Sequence, residues 1–316
     1  MKQRIAVEPW SPVPPGAVSI TLVPSWTGAG RWASADSLRF VADRLARCAV
    51  ETVTESDAAR PDARFDDYAR RYGLDRVHAI ADQLSRRVLG HLRSGILPIA
   101  IGGDHTLTIG GFSALRRALG PGARIGLIWV DAHADLNTHE TTETHNCHGM
   151  PLAALLGLGH PALVHAGGLR GAKLGFAEVA LIGLRSVDPP ERALLARHPE
   201  LLTIAAGDIR ARGLEAAIAR LLAWGKPLDA VYLSFDLDSI RPSDAPGVTT
   251  PVPGAGLSRD EALTLVARLA AGLPVVAADF VEYWPERDAG FKTVRLLHDL
   301  VDSVPRAKMA WRSRRA

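Results

Sequence analysis

The sequence predicts an α/β protein whose central sheet is parallel and covered by helices on both faces. Apolar runs such as 125–130 and 230–235 are nearly continuous rather than alternating, which is typical of buried parallel strands. Stretches with helical spacing of apolar residues separate these runs, and the connections are short, which favours strand–helix–strand units. No repeat, low-complexity segment or linker divides the chain, so we expect a single domain over residues 1–316.

The elements follow from the same patterns, taken in chain order. Apolar runs predict strands at 18–23, 96–101, 125–130, 178–183, 230–235 and 274–280. Apolar residues three or four positions apart predict helices near 35–50, 74–92, 109–118, 152–156, 214–224, 259–271 and 293–302. The stretch 51–71 is polar and poor in apolar residues, which predicts a surface excursion, and a long polar loop is expected from 133 to 149.

Composition and charge exclude several classes of protein. Hydrophobic residues make up 47% and charged residues 22%, as in an ordinary globular protein. The net charge of +3 is small, and much of the excess lies in the basic stretch 306–315, which we expect to be solvated or to contact another subunit. Elsewhere the sequence has no basic stripe with interleaved aromatic residues, so no nucleic-acid partner is expected.

Cysteine usage and hydropathy indicate the compartment. Two cysteines, Cys48 and Cys147, exclude a disulfide framework and favour a reducing environment. Early prolines interrupt any signal-peptide core, and no apolar stretch reaches the roughly 18 uncharged residues of a membrane span. The sequence therefore predicts a soluble cytoplasmic protein with no membrane partner.

Carboxylates and imidazoles follow three of the predicted strands where each strand ends. The residues concerned are His105, Asp131, His133, Asp135, Asp236 and Asp238. The carboxyl ends of parallel strands meet at one edge of a sheet, and residues two positions apart project to one side. Four converging carboxylates would repel one another unless cations lay between them. Six ligand groups exceed the needs of one tetrahedral zinc and suit two divalent ions with bridging carboxylates.

Each motif by itself has a simpler interpretation. The Asp-x-His-x-Asp motif alone is more often a helix cap in a surface polar cluster, and His105 alone is more often structural. The Asp-x-Asp motif is not an EF-hand loop, because Ile240 stands where an oxygen ligand is needed. Capping does not explain all three motifs at three strand ends, so we interpret them as one metal centre. Rossmann, Walker and nucleophile-elbow motifs are absent.

Several blocks of sequence together resemble the ureohydrolase family, which includes arginases, agmatinases and formiminoglutamases. The blocks are Gly102-Gly-Asp-His-Thr106, Asp131-Ala-His-Ala-Asp-Leu-Asn137, His148-Gly-Met-Pro151, Ser234-Phe-Asp-Leu-Asp-Ser-Ile-Arg-Pro242 and its extension Thr249-Thr-Pro-Val-Pro253. The resemblance, which is closest to the arginases, implies a three-layer α/β/α fold with an eight-stranded parallel sheet. It also implies a homo-oligomer, either a trimer or a hexamer.

The resemblance further implies two Mn²⁺ ions per chain. One would be held by His105, Asp131, Asp135 and Asp236, and the other by His133, Asp131, Asp236 and Asp238. An oxygen-rich donor set with two imidazoles suits Mn²⁺, although the ligand types alone do not exclude Zn²⁺ or Co²⁺. Two such ions about 3.5–4 Å apart can activate a bridging water for attack on a guanidinium carbon.

Catalytic roles come from the same resemblance. Asp135 would donate a proton to the leaving amine, and His148 would act as a proton shuttle, since an imidazole titrates near neutral pH. Glu282 would pair with the guanidinium group. The simpler alternatives are that His148 is a loop histidine hydrogen-bonded to the backbone and that Glu282 is a surface glutamate. The second is open because Glu282-Tyr-Trp284-Pro285 replaces the usual Glu-x-Asn-Pro.

Substrate recognition is assigned by similarity to the arginases. The carboxylate and ammonium of an amino acid would be bound by Asn137, Thr144, Asn146, Asp188 and Thr250. A substrate that lacks the carboxylate would leave these polar groups unpaired, which costs affinity. L-Arginine, cleaved to L-ornithine and urea, is therefore the expected small-molecule substrate.

Departures from the family pattern keep other functions open. His145 stands where arginases have a flexible glycine and is expected to narrow or recharge the carboxylate pocket, and Trp284 replaces an asparagine. The alternative is a ureohydrolase for agmatine, a guanidino acid, a modified arginine or a formimino compound. A non-catalytic metal-binding homologue is a further alternative. Zinc deacetylases of related fold are disfavoured, because His133 and Asp238 are both present.

Overall fold

The central feature of the structure is an eight-stranded sheet in which every neighbouring pair of strands is parallel. The computed structural model describes residues 18–31, 38, 41, 49–54 and 65–313. The strands are β1 (Val18–Val23), β2 (Ala49–Thr52), β3 (Leu97–Gly102), β4 (Ile125–Val130), β5 (Val179–Leu184), β6 (Leu202–Ala205), β7 (Ala230–Asp236) and β8 (Val275–Val281). Their spatial order is β2-β1-β3-β8-β7-β4-β5-β6. The α/β fold with an eight-stranded parallel sheet is confirmed.

Helices cover both faces of this sheet. They are α1 (Asp67–Arg71), α2 (Leu74–Arg93), α3 (Leu107–Leu119), α4 (Pro151–Leu155), α5 (Pro161–Val164), α6 (Pro189–Arg197), α7 (Ala206–Arg212), α8 (Leu214–Gly225), α9 (Arg259–Gly272) and α10 (Lys292–Ser313). Short 3-10 turns lie at Thr27–Ala29, Cys147–Gly149, Phe176–Glu178, Leu237–Ser239, Pro285–Arg287 and Ala289–Phe291.

Alternate residues of the strands pack into separate cores, which makes the protein three-layered. In β4, Leu127 and Trp129 join a buried cluster with residues of α2 and α3. Ile128 and Val130 point the other way and join a cluster with residues of α8, α9 and α10. Because both faces of the strand are buried, its sequence is continuously apolar, and this is why the central strands could be predicted from sequence.

The two strands that the sequence did not predict are at the edges of the sheet. β2 includes Val50, where a helix was predicted to end, and Glu51, which was assigned to a surface excursion. That predicted helix over 35–50 lies largely outside the described residues, although Leu38 and Val41 are buried. An edge strand pairs on one side only and tolerates exposed polar residues, so β2 and β6 lack the apolar signature of a buried strand.

Strand order brings together segments that are remote in the chain. β8 and β7 lie between β3 and β4, so the carboxyl ends of β3, β8, β7 and β4 are consecutive along one edge of the sheet. Ligands of open α/β sheets bind at such edges, near the point where the strand order reverses. None of the described helices has both the length and the apolar character needed to cross a bilayer.

Candidate active site

One imidazole lies among three carboxylates at the carboxyl edge of the sheet. Nδ1 of His105, just past β3, is 3.2 Å from Oδ2 of Asp131, 3.2 Å from Oδ2 of Asp135 and 3.3 Å from Oδ2 of Asp236. All four residues are buried. His105, Asp131 and Asp236 form one group whose ligand atoms lie within 4.8 Å of one another. The structure therefore brings together the first set of predicted ligands.

A second imidazole completes an adjoining group. Nδ1 of His133 is 3.1 Å from Oδ2 of Asp238 and 3.5 Å from Oδ1 of Asp131. These three residues form a second group with ligand atoms within 4.8 Å of one another. Asp131 belongs to both groups and faces each imidazole with a different oxygen. Asp131 is therefore placed where it would be a ligand of cations held by either group.

A buried hydrogen-bond chain behind His105 determines which ring nitrogen can be a ligand. Nε2 of His105 is 2.8 Å from Oγ of Ser234, and that hydroxyl donates to Asp279 at 2.6 Å. Thr108 and Tyr232 also donate to Asp279. Because the Ser234 hydrogen is already given to Asp279, Ser234 accepts from Nε2–H of His105. In the neutral ring, Nδ1 would then carry the lone pair that a metal ligand needs; this atom faces the three carboxylates and has no hydrogen-bond partner within the described part of the chain.

The charges of this cluster call for a cation. Burial, followed by the neighbouring carboxylates, raises the pKa of Asp236 well above its usual range and that of Asp135 to about 7. Burial disfavours a protonated His105, but Asp131, Asp135 and Asp236 raise its pKa well above its ordinary value. Without metal, the cluster therefore holds protons to relieve repulsion between buried carboxylates. Divalent ions bound by the same atoms would replace those protons, so the donor set fits a binuclear centre.

The buried Glu282 and the partly buried His148 form a pair beside this centre. Oε1 of Glu282 is 3.0 Å from Nδ1 of His148 and accepts from the backbone N–H of His105 at 2.9 Å. Burial opposes ionisation of Glu282, but the His148 imidazole lowers the pKa of its carboxyl. Its Oε2 is buried and has no partner among the described residues. Glu282 is 2% exposed, which excludes a surface glutamate.

A cavity of about 210 Å³ opens next to the carboxylate cluster. It is bounded at one end by the centre, including His133, Asp135 and Glu282. The substrate-binding residues predicted from the sequence all line it, namely Asn137, Thr144, Asn146, Asp188 and Thr250. His148 also lines it. The structure thus places the predicted catalytic and substrate-binding residues around one space.

Hydrogen bonds connect the walls of this cavity. Nδ2 of Asn137 donates to Oδ2 of Asp188 at 2.8 Å, and Thr141 donates to the other end of the Asn137 amide. Glu191 accepts from the backbone N–H of Asp188 and from that of Leu136, both within 2.9 Å. Glu191 therefore ties the start of α6 to the segment after Asp135.

A comparison with known proteins identifies the family. The family model described as the arginase family matches residues 30–305. The chain belongs to the arginase family. It is 38% identical to an arginase of Bacillus caldovelox over 231 residues, which are 73% of each chain.

Solved structures of this family agree with the fold. A structure of the Bacillus caldovelox arginase superposes with a TM-score of 0.81 and 32% identity, covering 92% of this chain and 98% of that one. The arginase of Entamoeba histolytica, solved in complex with L-ornithine, has a TM-score of 0.80 and 27% identity, with 91% and 97% covered. The protein is a hydrolase of guanidino compounds, as the sequence predicted, and the family is metal-dependent.

The two departures from the arginase pattern do not reach the cavity. His145 was expected to narrow or recharge the pocket, but its ring packs against Tyr72 and does not line the cavity. Trp284 packs edge-to-face on Trp26, with ring centroids 5.4 Å apart, and does not line it either. Both side chains pack on aromatic neighbours rather than on the cavity.

Other residues of the site were not predicted from the sequence. Ser186, Thr142, Glu143 and Glu191 line the cavity, and Ser234 and Asp279 support His105. The spacing from Asp188 to Glu191 is that of a capping box and could have identified Glu191, and Ser234 begins one of the blocks that resemble the ureohydrolases. The roles of the others depend on contacts with remote strands, which the sequence does not display.

Proposed function

We propose that the protein is a binuclear manganese arginase that hydrolyses L-arginine to L-ornithine and urea. The observation that carries the proposal is the pair of His/Asp groups sharing Asp131, at one end of a cavity whose walls offer amide and hydroxyl groups. We also propose that residues 1–316 form one domain, and that the enzyme acts as a cytoplasmic homo-oligomer, either a trimer or a hexamer.

The metal ligands in this proposal include the two groups described above, and Asp135 in the first site and Asp236 in the second are added from the resemblance. His105, Asp131, Asp135 and Asp236 would hold one ion, and His133, Asp131, Asp236 and Asp238 the other. Bound there, the ions would supply Lewis-acid activation of a water nucleophile near neutral pH. The oxygen-rich donors with two imidazoles favour Mn²⁺ over softer metals.

The side chains around the centre would orient the guanidinium and move protons. Oε2 of Glu282, buried and unpartnered among the described residues, would accept a hydrogen bond from the guanidinium, and the lowered pKa of Glu282 keeps it charged. Water would add to the guanidinium carbon and lose a proton to Asp135, and the bond from that carbon to the side-chain nitrogen of arginine would break. Asp135 delivers a proton to that nitrogen, which leaves as the amine of ornithine. His148, at the cavity wall, would exchange protons with solvent.

The opposite end of the cavity suits an α-amino acid. Asn137, Thr144 and Asn146 offer neutral donors for a carboxylate, and Asp188 offers a carboxylate oxygen for the ammonium. Neither lysine nor arginine is among the described residues that line this cavity. Recognition of the substrate carboxylate would therefore rest on hydrogen bonds with fixed positions, which discriminate strongly against a substrate lacking that group.

Urea release from L-arginine by manganese-reconstituted protein tests the proposal, with bound manganese counted by elemental analysis. Asp131→Asn is expected to lose both urea release and manganese, because both ion sites share this ligand. Asp260→Asn, at a carboxylate whose side chain is 90% exposed, is the matched control and should retain both. Preference for agmatine over L-arginine, or absence of urea despite two bound metals per chain, would overturn the arginase assignment.

A further inference from the structure

His145 lies within the polar loop, residues 137–148, in a conformation that a non-glycine residue rarely adopts. Its φ is 58°, in the left-handed region. Such strain persists only where the surrounding structure holds the residue in place. The residues on either side of it, Thr144 and Asn146, both line the cavity. Whatever holds His145 therefore also determines where these two side chains point.

Two tyrosines clamp the His145 ring. The ring stacks on Tyr72 with centroids 4.4 Å apart and planes inclined by 25°. It meets Tyr68 edge-on at 5.8 Å, and its Nδ1 is 3.0 Å from the Tyr68 hydroxyl. Tyr68 and Tyr72 lie in the segment around α1, and the surface excursion that the sequence predicted over 51–71 includes Tyr68 but ends just before Tyr72. In the structure this segment is the support of the polar loop.

The clamp is itself fixed to the rest of the protein. Tyr68 stacks on His160 with centroids 5.7 Å apart, and Nε2 of His160 is 3.0 Å from Oδ2 of Asp66. Asp66 in turn caps α1 by accepting from the N–H of Ala69 at 2.8 Å. A chain of contacts thus runs from the capped helix through Tyr68 to His145. The polar loop is therefore held from outside the cavity in addition to its own hydrogen bonds, such as that from the backbone N–H of His145 to Thr142.

We propose that His145 is a positioning residue whose clamped ring holds Thr144 and Asn146 toward the carboxylate end of the substrate. The glycine expected at this position would accept the positive φ without cost, but it would leave the loop free to move. A histidine between two tyrosines offsets the strain by stacking and fixes the loop before substrate binds, which lowers the entropic cost of binding. That these residues face the substrate carboxylate rests on the proposed function. The contacts that clamp His145 do not depend on it.

The kinetic test compares KM and kcat of the unaltered protein and of His145 variants, with L-arginine and with agmatine as substrates. If agmatine is not turned over, its inhibition constant Ki is measured instead. His145→Gly is expected to raise KM for L-arginine about tenfold at nearly unchanged kcat, because preorganisation of the loop is lost. The KM or Ki for agmatine should stay unchanged, since agmatine has no carboxylate for the loop to bind. His145→Phe keeps the stacked ring and should restore most of the arginine KM.

The tyrosines supply a matched pair of variants. Tyr72→Ala removes the stacking partner and should behave as His145→Gly, whereas Tyr72→Phe retains the ring and should behave as the unaltered enzyme. A fall in kcat at unchanged KM, or equal effects on L-arginine and agmatine, would overturn the positioning role.

A second readout does not depend on activity. Hydrogen–deuterium exchange in the polar loop should be faster in His145→Gly and Tyr72→Ala than in the unaltered protein, and unchanged in Tyr72→Phe. Equal exchange in all four proteins would overturn the clamp even if L-arginine is hydrolysed. Faster exchange in the two variants, together with no hydrolysis of L-arginine by the unaltered protein, would support the clamp and contradict the proposed function. The failure of one proposal can therefore be distinguished from the failure of the other.

Discussion

Backbone strain at single residues coincides with the candidate site. Among the described non-glycine residues, positive φ occurs at Asp135, His145, Glu282 and Phe291. Asp135 and Glu282 line the cavity, and His145 lies between two residues that do. A left-handed backbone conformation is costly for a residue with a Cβ atom. Its presence here indicates that contacts with the surrounding structure keep these residues in place. For Glu282, these contacts include its N–H donating to the carbonyl of Gly103.

Removal of the Ser234 hydroxyl should weaken metal binding although no metal ligand is altered. Ser234→Ala leaves Nε2–H of His105 without its acceptor, so the ring is no longer held with Nδ1 toward the carboxylates. Loss of such an orienting partner typically costs about 10–100-fold in metal affinity. Competition with a chelator of known affinity measures the change.

Thr108→Val is the control for this prediction. It removes a different donor to Asp279 but leaves the contact between His105 and Ser234 in place. A much smaller loss of manganese affinity is expected. Equal affinities for the Ser234→Ala variant and the unaltered protein would show that the hydroxyl does not orient the ligand.

At the scale of elements, the last residue of α5 accepts a hydrogen bond from a buried ammonium group. Lys173 is 3% exposed, and its Nζ donates to the carbonyls of Val164, at the end of α5, and of Gly171. Burial lowers its pKa from 10.5 to about 8, against the opposing effect of Asp82. The charged form is thus costly in the folded state and is relieved only in part by the carbonyl oxygens.

This burial predicts a pH dependence of stability. Below about pH 8, Lys173 is protonated in both folded and unfolded chains, and the cost of burying its charge is fully present. Between about pH 8 and 10.5 the unfolded chain binds more protons, so this residue's contribution to the free energy of unfolding rises with pH. The gain should approach about 3 kcal/mol.

Denaturant unfolding of the unaltered protein and of Lys173→Met across this pH range isolates the effect. The methionine cannot titrate, so the free energy of unfolding of the unaltered protein minus that of the variant should increase between pH 8 and 10.5. A difference that does not change with pH would contradict the prediction.

Edge and central strands differ in how well their sequences predict them. The pattern located β4, β7 and β8 to within about a residue at each end. It missed β6, whose Leu202 and Thr203 are only partly buried, because one-sided pairing relaxes the demand for apolar side chains. The short helices α1, α5, α6 and α7 were missed for a related reason, since they show too few turns for a period to be recognised, whereas α4 was predicted at 152–156.

On the scale of the whole molecule, the proposed metal centre cross-links the sheet. Its ligands follow three strands, β3, β4 and β7, and the buried carboxylates repel one another without cations. Manganese at about 100 times its Kd should stabilise the folded state by about 2.7 kcal/mol and raise Tm by about 5 °C. Thermal melts with Mn²⁺ and with a chelator measure this shift.

Asp131→Asn provides the reference for those melts. Because this variant loses the ligand common to both ion sites, its Tm should be the same with and without manganese. A Tm of the unaltered protein that does not respond to manganese would contradict a metal centre built into the sheet.

The sequence by itself determined the fold class, the central strands and the acidic and imidazole residues past their ends. These are local properties, since burial on both faces makes a strand apolar and the residue after it begins the loop at the sheet edge. The resemblance added the residues around the cavity. Only the tertiary structure decided that β8 and β7 lie between β3 and β4, that Ser234 orients His105, and that His145 turns toward Tyr72. Each depends on contacts between segments far apart in the chain, which no local pattern records.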